Sequence, residues 1–203
     1  MCIRDRVYVE YQKRLLQAGA MDFDDLLMRT AQLFREHPDV LASWRHRFGH
    51  VLVDEYQDTN PVQNDLVLQL AEEHRQVTVV GDSDQSVYAF RGADIRNILE
   101  FEEAFPDATV VVLEQNYRST QSILDAANAV IARNVGRKPK ELWSDKGSGD
   151  KIVRYHAEDE SDEAQFVANE LAKLHDHDHM HWGDMAVFYR TNSMSRVIEE
   201  FLV

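Results

Sequence analysis

Cysteine is almost missing from this chain: Cys2 is the only one in 203 residues. No disulfide can form within it, and no cysteine-based zinc site is available. Glycine is scarce in a more telling way. The eight glycines stand at 19, 49, 81, 92, 136, 147, 149 and 183, and none is followed by lysine. A phosphate-cradling G-x-x-x-x-G-K-[ST] loop is therefore excluded from the chain, and the KGSGDK stretch at 146–151 reads as a flexible loop. No apolar run approaches the ~18 residues of a membrane span, and the start is unlike a secretory signal. These absences predict a cytoplasmic protein with no membrane partner. Positive charge is also short, with 22 basic against 36 acidic residues and a net charge of −14. Up to Glu114 there are 11 basic and 21 acidic residues, and beyond it 11 and 15. Neither half offers a broad basic face, so any nucleic-acid contact must be local or rest on stacking.

What the chain does have is alternation. Helical periodicity marks 7–18 and 22–36, the second with Leu26, Leu27, Ala31 and Phe34 on one face, and Pro38 opens a third helix ending near Phe48. A strand VLVDE, a helix from Pro61 to about Glu73, a strand at 76–82, a helix at 94–104, a strand TVVVL (109–113) and a helix at 119–134 follow. After a loop come a strand KIVRYH, a helix at 160–174, a strand DMAVFYR (184–190) and a helix from Ser193. Short strands apolar on both faces, alternating with helices, predict an α/β fold with a mainly parallel sheet.

The strand ends carry the chemistry, as expected where ligands sit beyond the carboxyl ends of open α/β sheets. VLVDEYQDTN (51–60) leaves a strand directly into Asp54 and Glu55. Such a pair suits nucleotide hydrolysis, one carboxylate holding Mg²⁺ and the other polarising water. The plain structural alternative is a cap for the helix at Pro61. GDSDQSVYAFRGAD (81–94) follows the next strand. Gln85 can face a phosphate edge there. Tyr88 and Phe90 share a side if the segment is extended, and with Arg91 they form a stacking platform for unpaired bases; the alternative is two core aromatics. LEQNYRST (113–120) puts Tyr117 and Arg118 just before a helix, suited to a purine ring and a γ-phosphate, or simply a capped helix start.

Taken together, DEYQDTN, GDSDQSVYAFRGAD, LEQNYRST and YRTNSMSRVIEEFL resemble, in order, the motifs of UvrD/Rep-type (UvrD/PcrA/Rep) superfamily 1 DNA helicases, from about residue 7 onward. The resemblance implies parts of two RecA-like motor domains, residues 1–114 from the first and 115–203 from the second. It implies ATP and Mg²⁺ as cofactors, with Asp54 the Walker B acid that holds Mg²⁺ through water, and Glu55 the catalytic base. Gln85 becomes the γ-phosphate sensor, Arg118 an arginine finger and Tyr117 the adenine stack. Phe23, Tyr88, Phe90 and Arg91 match the single-stranded DNA track, with Trp common in the family where Phe90 stands. Arg190 and Asn192 match DNA contacts of the second motor domain. The implied partners are single-stranded DNA and duplex junctions, and the implied activity is 3′–5′ translocation and unwinding in repair or replication.

The Walker A loop is then expected upstream and the remaining motifs downstream, so the chain reads as an internal fragment, inactive and aggregation-prone alone. MCIRDR is expected to be unconnected to the helix after it. A non-hydrolysing single-strand binding module and a helicase–nuclease subunit are the alternatives. HDHDHMHW (175–182) places histidines at i, i+4 but reads as a solvated loop rather than a metal site, EDESDE (158–163) as a helix start, and RKPK (137–140) as a solvated loop within reach of phosphate.

Overall fold

The computed structural model describes residues 3–134, 137 and 139–203. The chain divides into two compact units, one up to Gly147 and one from Ser148 to Val203.

The first unit opens with three helices, α1 (Ile3–Gln17), α2 (Phe23–Glu36) and α3 (Pro38–Arg47). α1 takes in residues 3–6, which the sequence sets apart from it; Met1 and Cys2 lie outside the described residues. α2 begins at a reciprocal cap: the Asp22 carboxylate accepts the Asp25 N–H at 2.8 Å, and the Asp25 carboxylate accepts the Asp22 N–H at 3.3 Å. This leaves Phe23 at the first helical position, 89% exposed. The buried face of α2 is Asp25, Ala31 and Phe34, whereas Leu26 turns outward. Asp25 takes an inward position because its carboxylate closes the cap.

β1 (Val51–Val53), α4 (Pro61–Ala71) and β2 (Val77–Val79) form a parallel crossover unit. Val51 pairs with Val77, Leu52 with Thr78 and Val53 with Val79. The four valines are half-buried on one face, while Leu52 is 75% exposed on the other. The chain thus has the mixed α/β content and parallel pairing predicted, but covers one sheet face where two were expected. α4 starts with Asn60 accepting the Gln63 N–H at 2.9 Å while Gln63 accepts the Asn60 N–H at 2.8 Å, with Pro61 at the first turn. Asn60 does the capping, so Asp54 and Glu55 are not needed for it. The helix expected over 94–104 is two short ones, α5 (Arg96–Leu99) and α6 (Phe101–Ala104), and α7 (Gln121–Ile131) completes the unit.

The second unit holds α8 (Glu160–Asp176) and α9 (Ser195–Leu202) packed on each other. Asp159 caps α8 by accepting the Ser161 and Asp162 N–H groups at 2.9 and 2.8 Å, with Glu160, Asp162 and Glu163 in the first turn, as EDESDE predicts. Tyr155 stacks on Phe166 at 3.9 Å.

Three expected strands are not formed. Residues 109–113, 151–156 and 185–189 have no regular secondary structure, and Val111, Leu113, Val153 and Phe188 are exposed. A strand exists only through a neighbour that accepts its backbone hydrogen bonds, and apolar composition does not supply one. Outside the β1–β2 ladder, the isolated parallel bridge of Gln115 with Trp143 is the pairing found among the described residues. The histidine tract differs as well. His175 belongs to the last turn of α8, stacks on Trp182 at 4.1 Å and bonds through Nδ1 to the Met180 carbonyl at 2.8 Å. No cluster of three metal-ligating side chains occurs among the described residues, and no helix there is long and apolar enough to cross a membrane.

Candidate functional site

The chain leaves β1 through a sharp reversal. Glu55 adopts the left-handed conformation (φ 51°, ψ 41°), which costs a non-glycine residue about 1–2 kcal/mol. Its N–H donates to Asp54 Oδ1 at 2.9 Å. The reversal leaves both carboxylates exposed at the strand end and sends Tyr56 and Gln57 into the interior. Tyr56 meets the Phe101 ring edge-on at 5.7 Å and donates its hydroxyl to Asn64 Oδ1. Burial pushes its phenol pKa up to about 12. The turn that follows is fastened to α5, since the Thr59 carbonyl accepts from the Asp94 N–H at 3.0 Å and the Asn97 amide at 2.9 Å.

β2 ends beside it. The Tyr56 N–H donates to the Val80 carbonyl at 3.0 Å and the Val80 N–H to the Val53 carbonyl at 2.8 Å, so the two strand ends stay in register beyond the sheet. Asp82 then organises a short turn over Ser83–Gln85. Its Oδ1 accepts the Asp84 N–H at 2.9 Å, and its Oδ2 accepts Gln85 Nε2 at 2.8 Å. The side chain of Gln57 reaches across from the first strand end, Nε2 donating to Glu55 Oε2 at 2.7 Å and Oε1 accepting the Asp82 N–H at 2.9 Å. Glu55 and Gln85, 30 residues apart in the numbering, are thereby connected.

Two residues of RKPK are held by the protein rather than solvated. Arg137 grips Asp84 with two nitrogens, at 2.9 and 2.8 Å, and Lys140 pairs with Asp82 and lies 3.5 Å from Asp84. Lys138 lies outside the described residues. Burial pushes the Asp82 carboxyl up, but the hydrogen bonds from Lys140, Gln85 and the Asp84 N–H outweigh it and hold the pKa below the ordinary carboxylate value. A lowered folded pKa contributes stability that is present above the unfolded value, about 4, and is lost as pH falls through the folded one. Lys140→Met is expected to cost about 1–3 kcal/mol at neutral pH, with the difference from the unsubstituted chain narrowing below about pH 4. Urea unfolding at the two pH values measures both, and a pH-independent difference would contradict the pairing.

Tyr88 and Phe90 lie together, ring centroids 5.9 Å apart and tilted by 38°, with the Arg91 guanidinium 5.2 Å from one ring and 5.5 Å from the other. The grouping arises from a one-turn 3-10 helix over Ala89–Arg91, closed by Gly92 at φ 87°, rather than from the extended alternation the sequence suggested. Phe90 is 73% exposed, so the pair is not a core contact.

Tyr117 and Arg118 precede α7 in an exposed turn. Asn116 Oδ1 accepts the Arg118 and Ser119 N–H groups at 2.9 and 2.8 Å, and the Tyr117 hydroxyl donates to Gln115 at 2.9 Å. Among the described residues no hydrogen bond or ion pair joins Arg118 to Asp54, Glu55 or Gln85. Arg190 and Asn192 are exposed in the second unit, Asn192 opening a short turn whose carbonyl accepts the Ser195 hydroxyl at 2.9 Å. Gln57 is not among the residues that the sequence singles out, and Arg137 and Lys140 are read from it only as parts of a solvated loop within reach of phosphate. The signal for Gln57 was its place in DEYQDTN, a glutamine two residues past the carboxylate pair.

The donor set fits a hard divalent cation. Asp54 is exposed, with one carboxylate oxygen engaged by a backbone N–H, an arrangement that suits Mg²⁺ held through water and phosphate oxygens rather than by a protein cage.

Comparison with known proteins gives the family. Residues 4–106 match the UvrD/REP helicase N-terminal domain, and residues 111–203 match the UvrD-like helicase C-terminal domain. The chain is 53% identical over 204 residues to the ATP-dependent DNA helicase UvrD1 of Mycobacterium tuberculosis, covering 97% of this chain and 26% of that protein. It is 53% identical over 197 residues to the ATP-dependent DNA helicase PcrA of Bacillus subtilis, covering 97% and 27%, and 52% identical to PcrA of Leuconostoc citreum, covering 97% and 26%. The chain thus spans about a quarter of the length of the curated relatives it matches. It belongs to the UvrD/REP helicase family.

Proposed function

We propose that the chain is the central part of an ATP-dependent DNA helicase that moves 3′ to 5′ along single-stranded DNA and opens duplex junctions during repair or replication. The boundary between its two motor domains falls near Glu114, a reading supported by the two family matches ending at 106 and starting at 111. Glu55 takes a proton from water as the water oxygen bonds to the γ-phosphorus and the bridging oxygen leaves with ADP. Mg²⁺ beside Asp54 supplies charge neutralisation for the phosphates when bound. Gln85 reads the γ-phosphate, Arg118 stabilises the transferring group and Tyr117 stacks on adenine. Phe23, Tyr88, Phe90 and Arg91 hold unpaired bases, and Arg190 and Asn192 add contacts from the second motor domain. Stacking on exposed rings makes a net charge of −14 compatible with a DNA substrate.

The observation that carries the reading is the hydrogen-bonded connection from Glu55 through Gln57 and Asp82 to Gln85, with the exposed Tyr88–Phe90–Arg91 cluster a few residues further along the same loop. The test is ATP hydrolysis by the full-length protein with and without single-stranded DNA, together with unwinding of duplexes bearing a 3′ or a 5′ tail. Stimulated hydrolysis and a 3′-tail requirement are expected. Hydrolysis indifferent to DNA, or a 5′-tail requirement, would overturn the reading. In the same protein, Phe90→Ala is expected to weaken single-strand binding by about 1–3 kcal/mol in a fluorescence titration; unchanged affinity would make Phe90 a bystander.

A further inference from the structure

Gln57 is 1% exposed, yet its side chain is fully polar at the tip. Buried amides are kept when each hydrogen-bonding position is used. Here Nε2 donates to Glu55 Oε2 at 2.7 Å and lies 3.4 Å from Asp58 Oδ2, while Oε1 accepts the Asp82 N–H at 2.9 Å. The approach is close enough to dictate a second residue. A β-carbon at Gly81 would stand 2.5 Å from Gln57 Oε1, 2.9 Å from Ile98 Cδ1 and 3.1 Å from the Tyr56 nitrogen. Gly81 has no positive φ, so space, not backbone freedom, requires glycine there.

Satisfying the Asp82 N–H needs only an acceptor. The donor end of the amide is spent on Glu55, an exposed residue whose carboxylate makes no other hydrogen bond among the described residues. A glutamate at a strand end samples several rotamers in water, and a base that must meet one water molecule loses rate when it wanders. A buried, immobile donor on one carboxylate oxygen removes that freedom and leaves the other oxygen for the water. The same amide is anchored to the backbone of Asp82, whose carboxylate holds Gln85.

We propose that Gln57 is a positioning residue for nucleotide hydrolysis: it fixes one oxygen of Glu55 and ties the base to the loop that carries Gln85. This rests on the reading of Glu55 as the base. In the full-length protein, Gln57→Met keeps length and bulk but removes the donor. It is expected to lower kcat for DNA-stimulated ATP hydrolysis roughly 10–100-fold, with KM for ATP changed less than about threefold. Gly81→Ala, whose methyl group enters the space of Gln57 Oε1, is expected to give the same kcat loss with the amide still present. Rates are expressed per nucleotide-binding site so that misfolded protein does not count.

The discriminating measurement is Gln57→Met combined with Glu55→Gln, followed in single-turnover hydrolysis. A residue that acts through Glu55 adds no further loss once the base is gone, whereas a packing role multiplies the two losses. A kcat for Gln57→Met within twofold of the unsubstituted enzyme, or a full multiplicative loss in the double variant, overturns the proposal while Glu55 remains the base. A Glu55→Gln variant that itself keeps most of its turnover overturns both.

Discussion

Glu55→Gln in the full-length protein is expected to lower ATP turnover by about 10³-fold, within the range lost with a general base, while nucleotide affinity changes less than about threefold. The substitution is nearly isosteric. The new amide oxygen can still accept from Gln57 Nε2, which lies 2.7 Å from the carboxylate now, and the left-handed backbone at φ 51° is as accessible to glutamine as to glutamate. What glutamine cannot do is take the proton from water. Asp54 keeps its own place, anchored by the Glu55 N–H at 2.9 Å, so the carboxylate expected beside Mg²⁺ is untouched. Equilibrium binding of a fluorescent nucleotide and single-turnover hydrolysis measure the two quantities separately. A loss of only a few-fold in turnover would mean that some other group accepts the proton. A large loss of affinity would mean that Glu55 helps hold the nucleotide, a role assigned here to Asp54.

Local chemistry was legible in the sequence and long-range pairing was not. Helix starts came through because their signals lie within four residues: Asn60 with Gln63 and Pro61, and the acidic first turn after Asp159. The two strands that follow this logic, β1 and β2, pair because α4 carries one back beside the other. TVVVL has the same kind of apolar composition as those strands, but no strand among the described residues pairs with it, and its backbone forms no ladder. The site shows the same split. DEYQDTN and GDSDQSVYAFRGAD announced themselves as polar strand ends, and the structure joins them. The joining residue, Gln57, looked like any other polar side chain in a polar run, since its significance lies in a bond to Asp82, 25 residues away. Lys140 and Arg137 were hidden for the same reason, pairing across 58 and 53 residues with carboxylates that the local sequence leaves unmatched. Tyr88 and Phe90 illustrate a subtler difference. Their proximity was anticipated, but a single 3-10 turn produces it, and Gly92 is the residue that makes the turn possible.

Tyr56→Ala is expected to be the most destabilising of these substitutions, costing about 3–5 kcal/mol in urea unfolding, as deletion of a fully buried ring does. Tyr56 has no exposed surface, contacts Phe101 edge-on and sits directly after the strained residue Glu55. Its removal takes away the packing that offsets that strain, so the reversal at Glu55 should loosen along with the core. Tyr56→Phe separates the ring from its hydroxyl: it keeps the packing, strands Asn64 Oδ1 without its donor and is expected to cost about 1–2 kcal/mol. The alkaline limb gives an independent check. Burial raises the Tyr56 pKa from 10.0 to about 12, so its contribution to stability is complete below about pH 10 and is lost as pH rises from there through about 12. The unsubstituted chain should therefore lose stability over that interval more steeply than the Phe variant, and the gap between them should close. Equal slopes would mean that the hydroxyl is not held away from water, and the anchor beneath Glu55 would have to be sought in the ring alone.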